Sequence, residues 1–191
     1  MKRILTLCAV LALLALTACD GTTVAWAFDG DPRVVDGVEY YFNKAGNYAF
    51  VSAFAWDGEG KATLNVPGEV EGAAVFGVGG YYGTGVPVAA APTRADMTPA
   101  FLPPGEVDRV EQVIFTLCIG PGVERVMLSS DCLIREEDGE TVCYEPRYYL
   151  VCDPGSETFT SANGRLYRRT DGEEVNIMGL YWDEPTEEEN E

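Results

Sequence analysis

Short runs of apolar and aromatic residues, each ended by glycine, proline or aspartate, follow one another along the chain and predict β-strands. No stretch after residue 19 repeats its apolar residues at a helical spacing. The predicted fold class is therefore mainly β. The strand candidates are residues 38–42, 48–56, 61–66 and 75–79, and a second block over residues 113–152. Asn163-Gly164 predicts a turn before a further strand candidate, residues 165–167.

Three segments interrupt or flank this pattern. Residues 83–105 contain five of the eleven prolines and predict a loop rich in proline and alanine. Residues 106–112 predict one or two helical turns. Residues 183–191 are mostly acidic and predict a solvated, disordered tail. We therefore expect a β-rich domain over residues 38–182.

The first residues have the three-part pattern of a secretory signal peptide. Lys2 and Arg3 are positively charged, residues 4–16 are apolar, and small residues follow. The apolar run is too short to span a hydrocarbon core of about 30 Å as a stable helix. We therefore predict a signal peptide over residues 1–18 and expect no transmembrane helix in the rest of the chain.

The end of this segment, Leu16-Thr17-Ala18-Cys19, resembles the lipobox of bacterial lipoproteins. The resemblance implies cleavage before Cys19 and a diacylglyceryl group on its thiol. Each buried acyl methylene contributes roughly 0.8 kcal/mol, so two or three chains hold a protein on a membrane durably. It further implies an extracytoplasmic protein, anchored to a bacterial membrane at the cell surface or periplasmic face, with residues 19–37 as a lipidated tether.

The charge and composition of the chain argue against several kinds of functional site. The chain has 31 acidic side chains, 13 basic ones and no histidine, and it carries a net charge of −20 once residues 1–18 are removed. A nucleic-acid site needs clustered lysine and arginine, so we expect no nucleic-acid partner. Without histidine, Ser-His and Cys-His nucleophile pairs and the commonest zinc ligand are missing. We expect no enzyme, no catalytic residue, no cofactor and no metal.

Four cysteines remain beyond Cys8 and Cys19: Cys118, Cys132, Cys143 and Cys152. An even number in an exported chain favours two disulfides, for which three connectivities exist. We favour Cys132–Cys143 with Cys118–Cys152, which leaves no free thiol among these four. Asp138-Gly139 predicts a hairpin turn between the first two. A four-residue loop would place them opposite each other, and a two-residue loop would offset them by two positions.

Three segments of the chain can be aligned with one another. Residues 64–70 match residues 117–123, and residues 149–155 repeat the strand and its Pro/Gly turn. Residues 48–80, 115–126 and 159–167 together resemble the BspA-type leucine-rich repeat proteins of bacterial surfaces. The resemblance implies a short, irregular leucine-rich-repeat-like solenoid with an inserted disulfide hairpin. A β-sandwich is the alternative fold.

Adjacent tyrosines are the candidate contact residues. Tyr81 and Tyr82 lie in a glycine-rich stretch, where a binding role competes with ordinary packing at a sheet edge. The sequence thus predicts a non-enzymatic, membrane-anchored lipoprotein that binds protein or glycan. The alternatives are an exported glycoside hydrolase that uses a carboxylate pair about 5 Å apart, and a structural envelope lipoprotein without a ligand.

Overall fold

The computed structural model describes residues 31–57, 61–82, 86–100 and 107–182. These residues form seventeen β-strands and contain no helix, so the prediction of a mainly β fold is confirmed. The helical turns predicted over residues 106–112 are wrong from Arg109 onward, because a long strand begins there. None of the described segments is a helix that could cross a lipid bilayer.

The strands are β1 (Arg33–Val35), β2 (Val38–Phe42), β3 (Tyr48–Ala55), β4 (Ala62–Val66), β5 (Glu69–Val70), β6 (Ala73–Val78), β7 (Gly80–Tyr82), β8 (Val86–Val88), β9 (Ala91–Thr93), β10 (Thr98–Ala100), β11 (Arg109–Ile119), β12 (Arg125–Val126), β13 (Cys132–Glu137), β14 (Glu140–Cys152), β15 (Phe159–Ala162), β16 (Arg165–Arg168) and β17 (Leu180–Tyr181).

Most strands belong to two sheets. The first sheet has the order β1-β2-β3-β6-β12, with β5 beside β6 and β9 beside β3. The second has the order β10-β13-β14-β11-β4, with β17 beside β14. Within the second sheet, β4, β11, β14 and β17 run parallel. In the first sheet, β3, β6 and β12 also run parallel.

The chain passes back and forth between the two sheets. It goes from β3 in the first sheet to β4 in the second, then to β6, β11, β12 and β14 in alternation. Each return brings the chain alongside an earlier strand in the same direction, which accounts for the parallel pairing. Parallel neighbours cannot be joined by a tight hairpin, so the intervening pass through the other sheet serves as the crossover.

The register of the second sheet reproduces the internal alignment of the sequence. Leu64 of β4 lies beside Leu117 of β11, and Leu117 lies beside Leu150 of β14. The next rows are Asn65–Cys118–Val151 and Val66–Ile119–Cys152. The three similar segments are therefore stacked strands that hold the same position in successive passes.

One hydrophobic core lies between the two sheets and contains residues of both. The ring centroids of Phe54 in β3 and Phe115 in β11 are 5.4 Å apart, edge to face. Trp56 packs edge to face on Phe115 at 5.9 Å and on Tyr144 at 5.4 Å. Tyr148 is fully buried, and its hydroxyl donates a hydrogen bond of 2.8 Å to the Ser129 carbonyl. These rings fix the distance between the sheets because aromatic groups bury much apolar area in defined orientations.

Two predicted irregular segments contain strands. The segment 83–105, expected to be a loop, contributes β8, β9 and β10; β9 pairs with β3 and β10 pairs with β13. Pro92 and Pro99 lie in β9 and β10. Proline suits such positions because they lie at a sheet edge, where one side needs no donor. The segment 19–37, expected to be a tether, ends in β1.

The hairpin of β15 and β16 packs beside β14. Its turn is Asn163-Gly164, as the sequence predicts, and both residues have positive φ angles of 50° and 74°. The Leu150 amide donates to the Gly164 carbonyl at 2.8 Å, and the Cys152 amide donates to Ser161 Oγ at 2.9 Å. A Cβ atom on Gly164 would lie 2.3 Å from Tyr149 Cδ2, so this close approach requires glycine.

Candidate binding surface

The parallel strands of the second sheet present one side to the core and the other side away from it. On β11, Val113, Phe115, Leu117 and Ile119 are buried, while the residues between them are more exposed. Side chains alternate in this way because successive residues of a strand point to opposite faces. We define the outer face as Thr63, Asn65, Ile114, Thr116, Cys118, Arg147, Tyr149 and Val151, all exposed or half-buried.

The chemistry of the outer face differs from that of the whole chain. Two rows cross it, Thr63–Thr116–Tyr149 and Asn65–Cys118–Val151, and neither contains a charged residue. At its border, Arg147 and Glu145 lie on the same side of β14 and pair with each other, with 2.5 Å between Nη2 and Oε2. Val151 is 40% exposed. In a chain with 31 acidic residues, such a surface has the depletion of charge that is found at the centres of protein interfaces.

A groove lies where β4, β11 and β14 end. It has a volume of about 380 Å³, and its lining comes from the three stacked turns, residues 65–68, 118–121 and 151–154. The turns are in close contact, because a Cβ atom on Gly120 would lie 2.6 Å from the Val66 carbonyl oxygen and 2.7 Å from the Gly68 nitrogen. The groove therefore continues the outer face from Asn65, Cys118 and Val151 onto turns that include Asp153.

The structure contains the predicted disulfide between Cys132 and Cys143. Its hairpin has the two-residue loop Asp138-Gly139, with positive φ angles of 53° and 88°. Ile134 lies opposite Cys143, so the cysteines are offset by two positions, as a two-residue loop requires. Their Cα atoms are 5.7 Å apart, within the separation that a disulfide spans. The bridge is therefore diagonal across the hairpin.

The predicted Cys118–Cys152 disulfide is wrong, because both cysteines are free. Cys118 lies beside Val151, and Cys152 lies beside Ile119. The two cysteines differ by one position in register, so their side chains point to opposite faces of the sheet. Cys118 is on the outer face, whereas Cys152 Sγ lies 3.5 Å from the Phe159 carbonyl oxygen. Burial raises the pKa of the Cys152 thiol.

The other predicted site residues lie outside what the structure describes in atomic detail. Tyr81 and Tyr82 belong to β7, which pairs antiparallel with β8, but their side chains are outside the described part. Cys19 precedes the first described residue. The roles assigned to these three residues stay predictions.

An ion-pair network lies at the other end of the second sheet, and the sequence reasoning missed it. Arg109 Nη2 is 3.1 Å from Glu137 Oε2, and Arg135 Nη2 is 2.5 Å from Glu137 Oε1. Arg135 also reaches Asp96 at 3.4 Å. The Tyr144 hydroxyl donates a hydrogen bond to Glu137. This hydrogen bond, with the two arginines, lowers the pKa of the Glu137 carboxyl.

The signal for this network was present in the hairpin sequence, where Arg135 is followed by Glu136 and Glu137 across the turn from Glu140. What the sequence could not show is that two residues distant along the chain join this hairpin: Arg109 contacts the Glu137 carboxylate, and Asp96 contacts Arg135. The carboxylates of this network are already paired with arginine. Among the described residues, no group of three or more histidine, cysteine, aspartate or glutamate side chains is arranged to hold a metal ion.

Comparison of the chain with protein-family models, with curated proteins and with solved structures finds no match.

Proposed function

We propose that the protein is a non-enzymatic, lipid-anchored extracytoplasmic lipoprotein that binds protein or glycan through the outer face. The lipobox at Leu16-Thr17-Ala18-Cys19 supports the anchor. The Cys132–Cys143 disulfide supports an oxidising compartment, because disulfides persist mainly outside the cytosol. A bacterial membrane is the expected partner of the acyl chains.

The observation that carries the binding role is the pair of uncharged rows, Thr63–Thr116–Tyr149 and Asn65–Cys118–Val151, on the outer face of a strongly acidic chain. Tyr149 provides an aromatic ring with Thr116 beside it in the same row, and Asn65 provides a second hydrogen-bonding group two strands away in the next row. Aromatic rings flanked by such groups suit both sugar rings and protein surfaces. The parallel strands beneath hold these side chains in a fixed array, which lowers the entropic cost of binding.

We further propose that the fold is a short, irregular solenoid related to leucine-rich repeats of the BspA type. Its support is the alternation of consecutive strands between two sheets and the row of equivalent leucines at positions 64, 117 and 150. Each pass buries its apolar side against its neighbours, as in repeat proteins. The disulfide hairpin of β13 and β14 departs from a regular repeat.

The anchor is tested by membrane fractionation of the Cys19→Ala variant. We expect the variant to leave the membrane fraction, because only a cysteine thiol accepts the lipid. Cys118→Ala is the matched control and should fractionate like the unchanged chain. Retention of Cys19→Ala on membranes at the level of the control would contradict the anchor.

The binding role is tested with Thr116→Arg, which places a charge at the centre of the outer face. Immobilised chain would be probed with an array of bacterial envelope glycans and with detergent-extracted envelope proteins. Any ligand of the outer face should bind at least tenfold more weakly to this variant. Thr160→Arg is the control because Thr160 is exposed on β15. If a ligand bound both arginine variants as tightly as the unchanged chain, or lost the same affinity for both, the outer face would not be its site.

A further inference from the structure

The parallel strands of the second sheet end at β4, and this end is open. β4 pairs with β11 along one edge. Within the described ranges, no strand pairs with its other edge. A groove of about 590 Å³ lies against that edge, between β4, the β1–β2 ribbon and the turn around β5. We call this space the end groove.

Within β4 itself, the free edge lacks the charged residues and prolines that often protect an edge strand, whereas Lys61 and Pro67 flank the strand. The residues of β4, from Ala62 to Val66, include no charged side chain and no proline. The strand at the opposite side of the same sheet, β10, carries Pro99. An unprotected edge presents backbone N–H and C=O groups that can pair with an added strand. The end groove provides room beside these groups.

The lining of the end groove combines an apolar floor with an acidic rim. Val38, Tyr40 and Val70 are buried residues of the floor. The acidic members of the lining are Asp36, Glu69 and Glu71. Glu71 forms an ion pair with Arg33, with 2.7 Å between Oε2 and Nη1. Burial, followed by the charge of Asp36, raises the pKa of the Tyr40 hydroxyl.

Charge decides between the occupants that could fill such a groove. Residues 19–30 contain Asp20 and Asp29 but no basic residue, and residues 183–191 are acidic without a basic residue. A second copy would bring another chain with 31 acidic and 13 basic residues and the same acidic rim. Each of these would be repelled. A segment that carries lysine or arginine would be attracted, and alternating apolar residues on the same segment would meet the floor.

We propose that the free edge of β4 and the end groove bind an extended, basic peptide segment of another protein as an added strand. The main-chain groups of β4 supply the hydrogen bonds, and the acidic rim selects positive side chains. This interaction needs neither the lipid on Cys19 nor the outer face. It can therefore succeed or fail independently of the proposed function.

The probe is a fluorescent octapeptide, acetylated and amidated, with the sequence Lys-Val-Lys-Thr-Lys-Val-Lys-Thr. Fluorescence anisotropy would be measured at low ionic strength on the chain carrying Cys19→Ala. We expect saturable binding, and we expect the peptide with glutamate in place of each lysine not to bind. Glu69→Lys should weaken binding about fivefold or more. Glu157→Lys is the matched control, since Glu157 is exposed on a distant turn and the change in net charge is the same.

Strand addition is separated from simple charge attraction by backbone methylation. Two peptides are made, each N-methylated at every second residue, so that each loses the amides of one edge. In an extended strand, the amides of alternate residues point to the same side. Only one of the two methylated peptides therefore loses the amides that face β4, and this peptide should bind at least tenfold more weakly than the parent. The second methylated peptide keeps those amides and should bind more tightly than the first. Equal binding of both methylated peptides and the parent would overturn the proposal. So would equal weakening by Glu69→Lys and Glu157→Lys, an absence of binding, or a dimer of the peptide-free chain by light scattering.

Discussion

The two ends of the parallel stack differ in how much covers them. At β14, the β13 hairpin with its disulfide, the short strand β17 and the β15–β16 hairpin lie alongside, and Leu150 is fully buried. At β4, the equivalent Leu64 is only half-buried and a groove lies beside the strand. The leucines at equivalent positions should therefore contribute differently to the stability of the fold, because each strand depends on the neighbours that cover it.

The largest effect is expected from leucine-to-alanine substitutions along this row. Leu117→Ala and Leu150→Ala should each lower the free energy of unfolding by about 2–5 kcal/mol, because both side chains are fully buried and leave a cavity. Leu64→Ala should cost roughly 1 kcal/mol, because its side chain keeps contact with water. Urea unfolding at neutral pH measures all three. Equal losses would show that the two ends are equally covered.

The disulfide should have the next largest effect. Replacing Cys132 and Cys143 together by serine should lower the free energy of unfolding by about 2–3 kcal/mol, since the bridge closes a short loop and restricts the unfolded chain. Urea unfolding without reductant measures the change. Cys118→Ser, which removes a free thiol from the outer face, is the control and should stay within about 0.5 kcal/mol. If the control lost as much as the double variant, the bridge would not be what stabilises this end.

A smaller, pH-dependent effect is expected from the ion-pair network. The pKa of Glu137 is lowered from its ordinary value of 4.5, chiefly by the Tyr144 hydrogen bond. Its contribution is therefore fully present above about pH 4.5 and is lost as the pH falls through the lower folded-state pKa. The difference in urea midpoint between the unchanged chain and Glu137→Gln should shrink as the pH falls from 7 to 3. A difference that stays constant from pH 7 to pH 3 would contradict this contribution of Glu137.

The smallest effect concerns the two free thiols. In a chain with Cys8 and Cys19 replaced by serine, Cys118 should react with a thiol reagent in the folded state. Cys152 should react more slowly, because burial raises the pKa of its thiol. Two thiols should titrate in denaturant. A count of zero thiols would mean that Cys118 and Cys152 are bridged, and a count of four would mean that Cys132 and Cys143 are not bridged.

Local patterns allowed much of the fold to be predicted from the sequence. Runs of apolar and aromatic residues over 38–42 and 48–56 predicted strands, and Asn163-Gly164 and Asp138-Gly139 predicted turns, in which all four residues have positive φ angles. The alignment of Leu64, Leu117 and Leu150 anticipated their adjacency in the sheet. These features depend on residues close in sequence or on a repeat that the sequence itself displays.

Features that depend on contacts between distant residues could not be predicted. Pro92 and Pro99 argue locally against strands, yet β9 and β10 form because β3 and β13 supply partners along one edge. The outer face, with Thr116 at its centre, is defined by the register of three strands and has no motif. The same limit explains the incorrect disulfide. Cys118 and Cys152 were aligned to within one residue, and that one residue determines which face each thiol occupies.

The row that contains Cys118 offers a position for an engineered disulfide between two neighbouring parallel strands. Replacing Val151 by cysteine would set two sulfur atoms side by side on adjoining parallel strands, which lie about 4.8 Å apart. That spacing falls within the range a disulfide bridges. A single substitution would thus allow a disulfide to link β11 and β14 on the outer face, without changing the buried aromatic rings on the other side of the sheet.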